Sequence, residues 1–161
     1  MGSEGTARPG FVIRAFDSAE EAAAVAEILR EAPEAASWSE EALRETVKLP
    51  GVAALVSERE GAISGIVVGR RVLDEAEILN LAVKKGMRRQ GEGRALVGLI
   101  LSRFAEAHVS RAFLEVRESN AGAIAFYRGL GFEAVGTRRD YYQDPKESAT
   151  VMELFLRKST N

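Results

Sequence analysis

The chain has 161 residues, 46% of them hydrophobic and 29% charged, with a mean hydropathy of −0.10, the balance of one globular domain rather than a disordered chain. Cysteine is absent and His108 is the single histidine, which excludes disulfides, thiolate or multi-histidine metal sites and a cysteine nucleophile. A net charge of −2 removes bulk attraction to nucleic acid, and no apolar run approaches the ~20 residues of a membrane helix, so any anion site must be local.

Residues 1–10, MGSEGTARPG, hold three glycines and a proline but no apolar stretch. They read as a loose tail without a secretory segment, and a cytoplasmic location is the expectation. Met1-Gly2 with Thr6 is a weak match to the myristoylation pattern. Residues 11–161 then read as one domain. Phe11-Val-Ile-Arg-Ala-Phe16 alternates as a first strand, and Ser18 with Glu21 spells a capping box for a helix to Arg30. Pro33 ends that region. Ser39 caps a second helix, with Trp38 and Leu43 spaced as a hydrophobic staple. Residues 52–56 and 63–73 read as antiparallel strands around the turn Glu58-Arg-Glu-Gly61. Ile78-Leu-Asn-Leu-Ala-Val83 is nearly all apolar, as a central strand buried on both faces should be, and Asn80 is conspicuous in it.

From Gly91 the apolar period lengthens to that of a helix, through Leu96, Val97, Ile100, Leu101 and Phe104 to about Ala107. His108 beyond it suits the helix dipole without any chemistry. Residues 112–116 form the next strand, so a strand–helix–strand unit predicts a right-handed crossover and a parallel pair. A further helix spans 120–130, with Gly131 as its C′ residue. Residues 132–137 and 150–156 read as an antiparallel pair, since the loop of residues 138–149 is too short for a helical crossover. The sum is an α/β chain with a mixed, mostly antiparallel sheet of about seven strands flanked by about four helices.

Lys84-Lys-Gly-Met-Arg-Arg-Gln-Gly-Glu-Gly-Arg94 lies between the buried strand and the long helix. Gly91 and Gly93 let a ligand approach the backbone, the helix start offers free N–H groups, and the lysines and arginines add positive charge. Phosphate oxygens suit such a loop, although it is neither a Walker loop nor a three-glycine dinucleotide fingerprint. Glu92 places a carboxylate within it, tolerable if that side chain faces solvent while its amide faces phosphate.

Arg88-x-x-Gly91-x-Gly93, after a strand and before a helix, resembles the acetyl-coenzyme A (acetyl-CoA) pyrophosphate motif of the GNAT superfamily of N-acetyltransferases. Leu114-Glu-Val-Arg-Glu-Ser-Asn120, Ala123-Ile-Ala-Phe-Tyr127, Leu130-Gly-Phe132 and Arg138-Arg-Asp-Tyr-Tyr142 resemble its RimI-type, ribosomal-protein-alanine branch. Residues 73–83, Pro33 and Trp38-Ser-Glu40 extend the likeness over nearly the whole chain. The resemblance implies a central parallel pair splayed for acetyl-CoA, with Leu81, Ala82 and Val83 offering backbone groups to the pantetheine arm. It implies a pyrophosphate site on Arg88, Arg89, Gln90, Gly91, Glu92, Gly93 and Arg94, and a cofactor contact from Asn120. Glu115 matches the base, Tyr127 the acid, and Tyr141 and Tyr142 the aromatic walls for a peptide end in the loop before the last strand. Trp38 is either the opposite wall or only a staple. No metal is implied.

Acetyl transfer needs a neutral amine, a stabilised oxyanion and protonation of the departing thiolate. Alternation puts Glu115 on one face with Phe113 and Arg117, opposite Leu114 and Val116, so it projects from the sheet. Its plainer reading is a surface pair with Arg117, which would weaken it as a base; Tyr127 is equally a core aromatic, and Arg138-Arg139 a solvated strand end. An α-amine of pKa ~8 is about one tenth neutral at pH 7, whereas a lysine at ~10.4 is neutral in only about one part in 2,500, so a modest base suits an N-terminus. The expected acceptor is a protein α-amine, with the resemblance pointing to the N-terminal alanine of a small-subunit ribosomal protein. A lysine or small-molecule amine is the catalytic alternative, and a non-catalytic CoA-sensing or RNA-contacting module the other. Gln143-Asp144-Pro145 and Ser148 depart from the branch's pattern where the peptide would bind.

Overall fold

A computed structural model describes residues 10–33 and 35–156; of the expected tail only Gly10 falls within them. The elements in chain order are β1 (Val12–Ala15), α1 (Ser18–Arg30), α2 (Glu40–Val47), β2 (Val52–Arg59), β3 (Ala62–Val72), β4 (Glu75–Val83), α3 (Glu92–Glu106), β5 (Arg111–Arg117), α4 (Ala121–Gly129), β6 (Glu133–Gln143) and β7 (Lys146–Phe155). The strands form one sheet in the order β1-β2-β3-β4-β5-β7-β6, antiparallel except between β4 and β5. No helix among the described residues is long and apolar enough to cross a membrane.

Local chemistry sets the ends of the elements. Asp17, not Ser18, caps α1, accepting from Ala19 N at 3.1 Å, while Glu21 reaches back to Asp17 N at 2.9 Å. Ser39 caps α2 as expected, accepting from Ala42 N at 3.0 Å, and Trp38 and Leu43 share one apolar cluster. Glu60 and Gly61 both take positive φ, 50° and 81°, the backbone of a two-residue hairpin turn that matches strand twist. His108, past the end of α3, is exposed with φ 68°, the left-handed conformation in which many helices end.

The apolar run in β4 has a specific cause. Val68 of β3 opposes Asn80 and Gly69 opposes Ile78, so Leu79 is an extra residue and the strand bulges there. The bulge shifts the alternation by one. Ala76 and Ile78 before it, and Leu81 and Val83 after it, join the core under α3 and α4, while Ala82 joins the core under α1 and α2. Both faces of the strand are thereby covered.

Two features position a cleft. β4 and β5 are in register only over Glu75–Glu77 against Arg111–Phe113, and beyond that the parallel pair parts. On the far side, residues 138–149 are not the expected loop: β6 and β7 continue as a hairpin to Gln143 and Lys146, with the register broken between Arg138 and Tyr142, where Asp140 has φ 51°. Tyr141 and Tyr142 therefore sit on the edge strand β6, which β7 separates from β5. Each is a good β-former, and the irregularity lets the strand resume pairing after Asp140.

Candidate active site

The mouth of the cleft is the turn from β4 into α3. Gly86, Arg89 and Gly91 have φ of 94°, 67° and 83°, a backbone that folds the loop tightly under the helix. Gly91 is the N-cap residue and no side chain caps α3. The first N–H groups of the helix consequently lack both intrahelical and side-chain acceptors, at the positive end of its dipole. Arg88 is half-buried and donates from Nε to Val83 O at 3.0 Å, tying the loop to the end of β4. Arg89, Gln90 and Arg94 are exposed around it. Residues 88–94 thus combine uncapped helix N–H groups with basic side chains.

Glu92 differs from its expectation. Its side chain faces inward, 1% exposed, where it accepts from the Ser57 and Ser64 hydroxyls and from Arg59 Nε at 2.7 Å. The donors lie in β2 and β3, beneath the loop, so the carboxylate points away from any ligand at the helix end.

Along the cleft, Leu81 and Val83 border the α3 side and Ala82 the other. Beyond Glu77 these residues are paired to β3 alone, so the other edge of β4 is open to an extended ligand. Asn120 caps α4, accepting from Ala123 N at 3.0 Å. Asn80, buried at 5%, donates Nδ2 to Ala36 O at 2.9 Å and accepts on Oδ1 from Ala36 N and Leu81 N at 3.2 and 3.1 Å. It pins the α1–α2 loop against β4 and with it the neighbourhood of Trp38, which packs on the α1–α2 core. Among the described residues no recorded contact joins Trp38 to the tyrosines of β6.

Glu115 lies on the face opposite Leu114 and Val116, as alternation required. Its partner is Arg138, whose Nη1 donates to Glu115 Oε2 at 2.8 Å, and not Arg117. Arg117 is held elsewhere, by Pro145 O at 2.9 Å and Glu147 at 3.2 Å, and it lies over the Tyr142 ring at 4.3 Å. The hairpin of β6 and β7 explains both partners, because it carries Arg138 to Glu115 and closes its turn over Arg117. Arg138 also covers Tyr141 at 4.4 Å, Tyr141 meets Tyr142 edge to face at 5.0 Å, and the Tyr142 hydroxyl donates to Glu115 O at 3.3 Å. Burial, followed by the Glu115 charge, pushes the Tyr141 hydroxyl up from its ordinary value; burial is also the leading cause for Tyr142, with the Tyr141 and Glu115 charges adding.

Glu77 joins this group unannounced. Reading the strand from Ile78 left Glu77 outside it, yet the polar–apolar alternation of Glu75-Ala-Glu-Ile78 was the available signal. Its carboxyl is pushed up first by burial and then by the Glu115 charge, against a smaller opposite effect of Arg138.

Tyr127 approaches from the other face. Its ring is 7% exposed and packs edge to face with Phe126 and Phe132, at 5.0 and 5.5 Å between centroids. No recorded hydrogen bond joins its hydroxyl to a described residue. Since no fully buried side-chain oxygen among the described residues lacks a partner, that hydroxyl is not wholly enclosed. Burial pushes its pKa well up, so it holds its proton at neutral pH.

A parted parallel pair, a bulged central strand and an uncapped helix at its end agree with the comparison to known families: the Acetyltransferase (GNAT) family profile matches residues 22–132. The chain belongs to this family. Within it, the ribosomal protein bS18-alanine N-acetyltransferase of Escherichia coli strain K12 is 41% identical over 98 residues, 60% of this chain and 66% of that protein's length. The match in sequence thus spans just under two thirds of that relative. The crystal structure of the ribosomal-protein-S18-alanine N-acetyltransferase from Escherichia coli superposes with a TM-score of 0.81 and 32% identity, covering 94% of this chain and 97% of that one. Ard1 from Thermoplasma volcanium gives a TM-score of 0.84 at 27% identity, over 92% and 99% of the two chains. The GNAT fold, with its seven-stranded sheet, four helices and parallel β4–β5 pair, is the fold expected from the resemblance.

Proposed function

We propose that this GNAT protein transfers the acetyl group of acetyl-CoA to the N-terminal α-amine of a protein, with the alanine of ribosomal protein bS18 as the leading acceptor. One observation supports the reading: Glu115 lies on β5 beyond the last residue paired with β4, on the face opposite the core that holds Tyr127, with an uncapped helix N-terminus after β4. Direct transfer needs a base for the incoming amine and an acid for the departing thiolate. The acceptor alanine rests on the names of the relatives and on Tyr141 and Tyr142 beside Glu115. A ribosomal acceptor also carries the cytoplasmic site of action.

The residues present fit acetyl-CoA. The amides at the start of α3, with Arg88, Arg89, Gln90, Gly91, Gly93 and Arg94 around them, would hold its pyrophosphate. The open edge of Leu81, Ala82 and Val83 would pair with the pantetheine amides as a neighbouring strand does, and Asn120 would border the same arm. Bound there, acetyl-CoA supplies an acyl group activated as a thioester. Glu115 takes a proton from the incoming ammonium, directly or through one water, so that the amine nitrogen is free to attack. Tyr127, protonated at neutral pH, would give its proton to the sulfur as the carbon–sulfur bond breaks and regain one from the nitrogen as the amide forms, the net proton leaving by Glu115. The acetyl group passes straight to nitrogen, which agrees with a chain that contains no cysteine to carry it. Trp38, Tyr141 and Tyr142 are the proposed surfaces against which the peptide end is oriented.

The test is incubation with acetyl-CoA and a panel of peptides, some with free N-termini beginning in alanine and some N-terminally blocked with internal lysine. Mass spectrometry should place the acetyl group on the α-amine. Acetylation confined to lysine, or to small amines alone, would replace this acceptor with the catalytic alternative.

A further inference from the structure

The function just described does not use the buried carboxylate of Glu92. It is the first residue of α3 and part of the phosphate loop, yet it is 1% exposed and bonded to Ser57, Ser64 and Arg59. Space for this group is made by the backbone: a Cβ on Gly65 would stand 2.6 Å from Ser57 Oγ. A carboxylate is costly to bury, and an apolar side chain would occupy the same volume at lower cost. A fully partnered one therefore asks for a role beyond filling space.

Two physical arguments give it one. A helix start is ordinarily fixed by a Ser, Thr, Asp or Asn cap whose oxygen occupies the N2 or N3 amide. Those amides are the ones an anion needs. In α3 the N-cap is Gly91, with no side chain, and Glu92 reaches downward from the first turn into β2 and β3. The turn is fixed from beneath, and its amides stay free. The second argument is charge: a carboxylate under an anion site repels the anion, and Arg59, with a side chain only 14% exposed and a bond to Glu92 at 2.7 Å, offsets it.

We propose that Glu92 and Arg59 are positioning residues for the phosphates of acetyl-CoA, Glu92 anchoring the first turn of α3 to β2 and β3 so that it needs no side-chain cap, and Arg59 neutralising that anchor. The proposal rests on the reading that this loop holds acetyl-CoA. It adds a second layer to the site, two strands away in the chain from the loop it orders.

Calorimetric titration of the full chain with CoA tests it, on the parent and on Glu92→Ala, Glu92→Gln, Arg59→Met and the double variant Arg59→Met/Glu92→Gln, with thermal unfolding followed alongside. Glu92→Ala should weaken CoA binding about tenfold, by analogy with the loss seen when the outer partners of metal ligands are removed. Glu92→Gln keeps an acceptor oxygen and should recover most of that affinity. Arg59→Met leaves the carboxylate uncompensated, so its loss should be large at low salt and shrink as salt rises. The double variant, with neither charge, should bind CoA better than Arg59→Met alone, and it decides the matter if the single variants do not fold. CoA affinities of folded Glu92→Ala and Arg59→Met within about twofold of the parent, or a double variant no better than Arg59→Met, overturn the proposal. A parent that binds no CoA overturns instead the acetyl-CoA reading on which it stands.

Discussion

Asn80 offers a measurement that joins stability to the site. It makes three hydrogen bonds, two to Ala36 and one to Leu81 N. At about 1 kcal/mol net each, Asn80→Ala removes ~3 kcal/mol. Ala36 is exposed, so its freed N–H and C=O regain water and the net loss falls to about 2 kcal/mol. For a domain of this size that lowers Tm by roughly 4–8 °C. A second readout is local. Trp38 is the single tryptophan of the chain and lies two residues beyond Ala36, in the loop that Asn80 pins. Its emission should move to the red and its quenching by acrylamide should rise in Asn80→Ala, with the sheet otherwise intact by circular dichroism. A Tm within about 1 °C of the parent, together with unchanged Trp38 emission, would show that Asn80 does not hold this loop.

Glu115→Gln and Tyr127→Phe should each lower turnover by ~10²–10⁴ with peptide and acetyl-CoA; a loss of less than a few-fold would remove that residue from its role. With an α-amine acceptor, kcat/KM should climb about tenfold per pH unit below pH ~8 and then level, whereas a lysine acceptor would keep climbing beyond pH ~9. A stopped assay from pH 6 to 10 separates the two. Burial and the Glu115 charge hold the Glu77 carboxyl above its ordinary 4.5 in the folded chain, so the folded state binds that proton more tightly than the unfolded state. Its contribution to stability is therefore complete below pH 4.5 and is lost as the pH rises through the raised folded value. Glu77→Gln should accordingly unfold at a higher temperature than the parent at pH 7 and at nearly the same temperature at pH ~4. An equal offset at both pH values would refute the assignment.

Most of the architecture was legible because local signals coincide with tertiary ones. Ser39 caps the helix it was expected to cap, Asn120 stands at the start of the helix expected from residue 120, and the glycines around Gly91 mark the loop they build. What escaped depends on pairing across the sheet. Alternation placed Glu115 on its correct face but could not say that Arg138, remote in sequence, would meet it, because that follows from the register of β6 against β7 and β7 against β5. The two tyrosines looked like loop residues because the irregularity at Asp140 interrupts the strand pattern just before them. Glu92 was expected outside because nothing local announces that Ser57, Arg59 and Ser64 stand beneath it. Charged side chains are the hardest to place from sequence, since their direction is decided by partners that the fold supplies.

The short seam between β4 and β5 also bears on how the molecule comes apart. Three residue pairs join Glu75–Glu77 to Arg111–Phe113, with Ser110 N donating to Asp74 O at 2.7 Å just before them, and beyond these β1 through β4 pair among themselves on one side and β5, β7 and β6 on the other. Such a sheet has a built-in line of weakness along which two cooperative units can open separately. An extended ligand lying in the gap bridges the two units, and its binding energy becomes mechanical continuity of the sheet. Amide protons of β5 and of Leu81 to Val83 should then exchange more slowly in its presence, while those of β1 and β2 remain as they were.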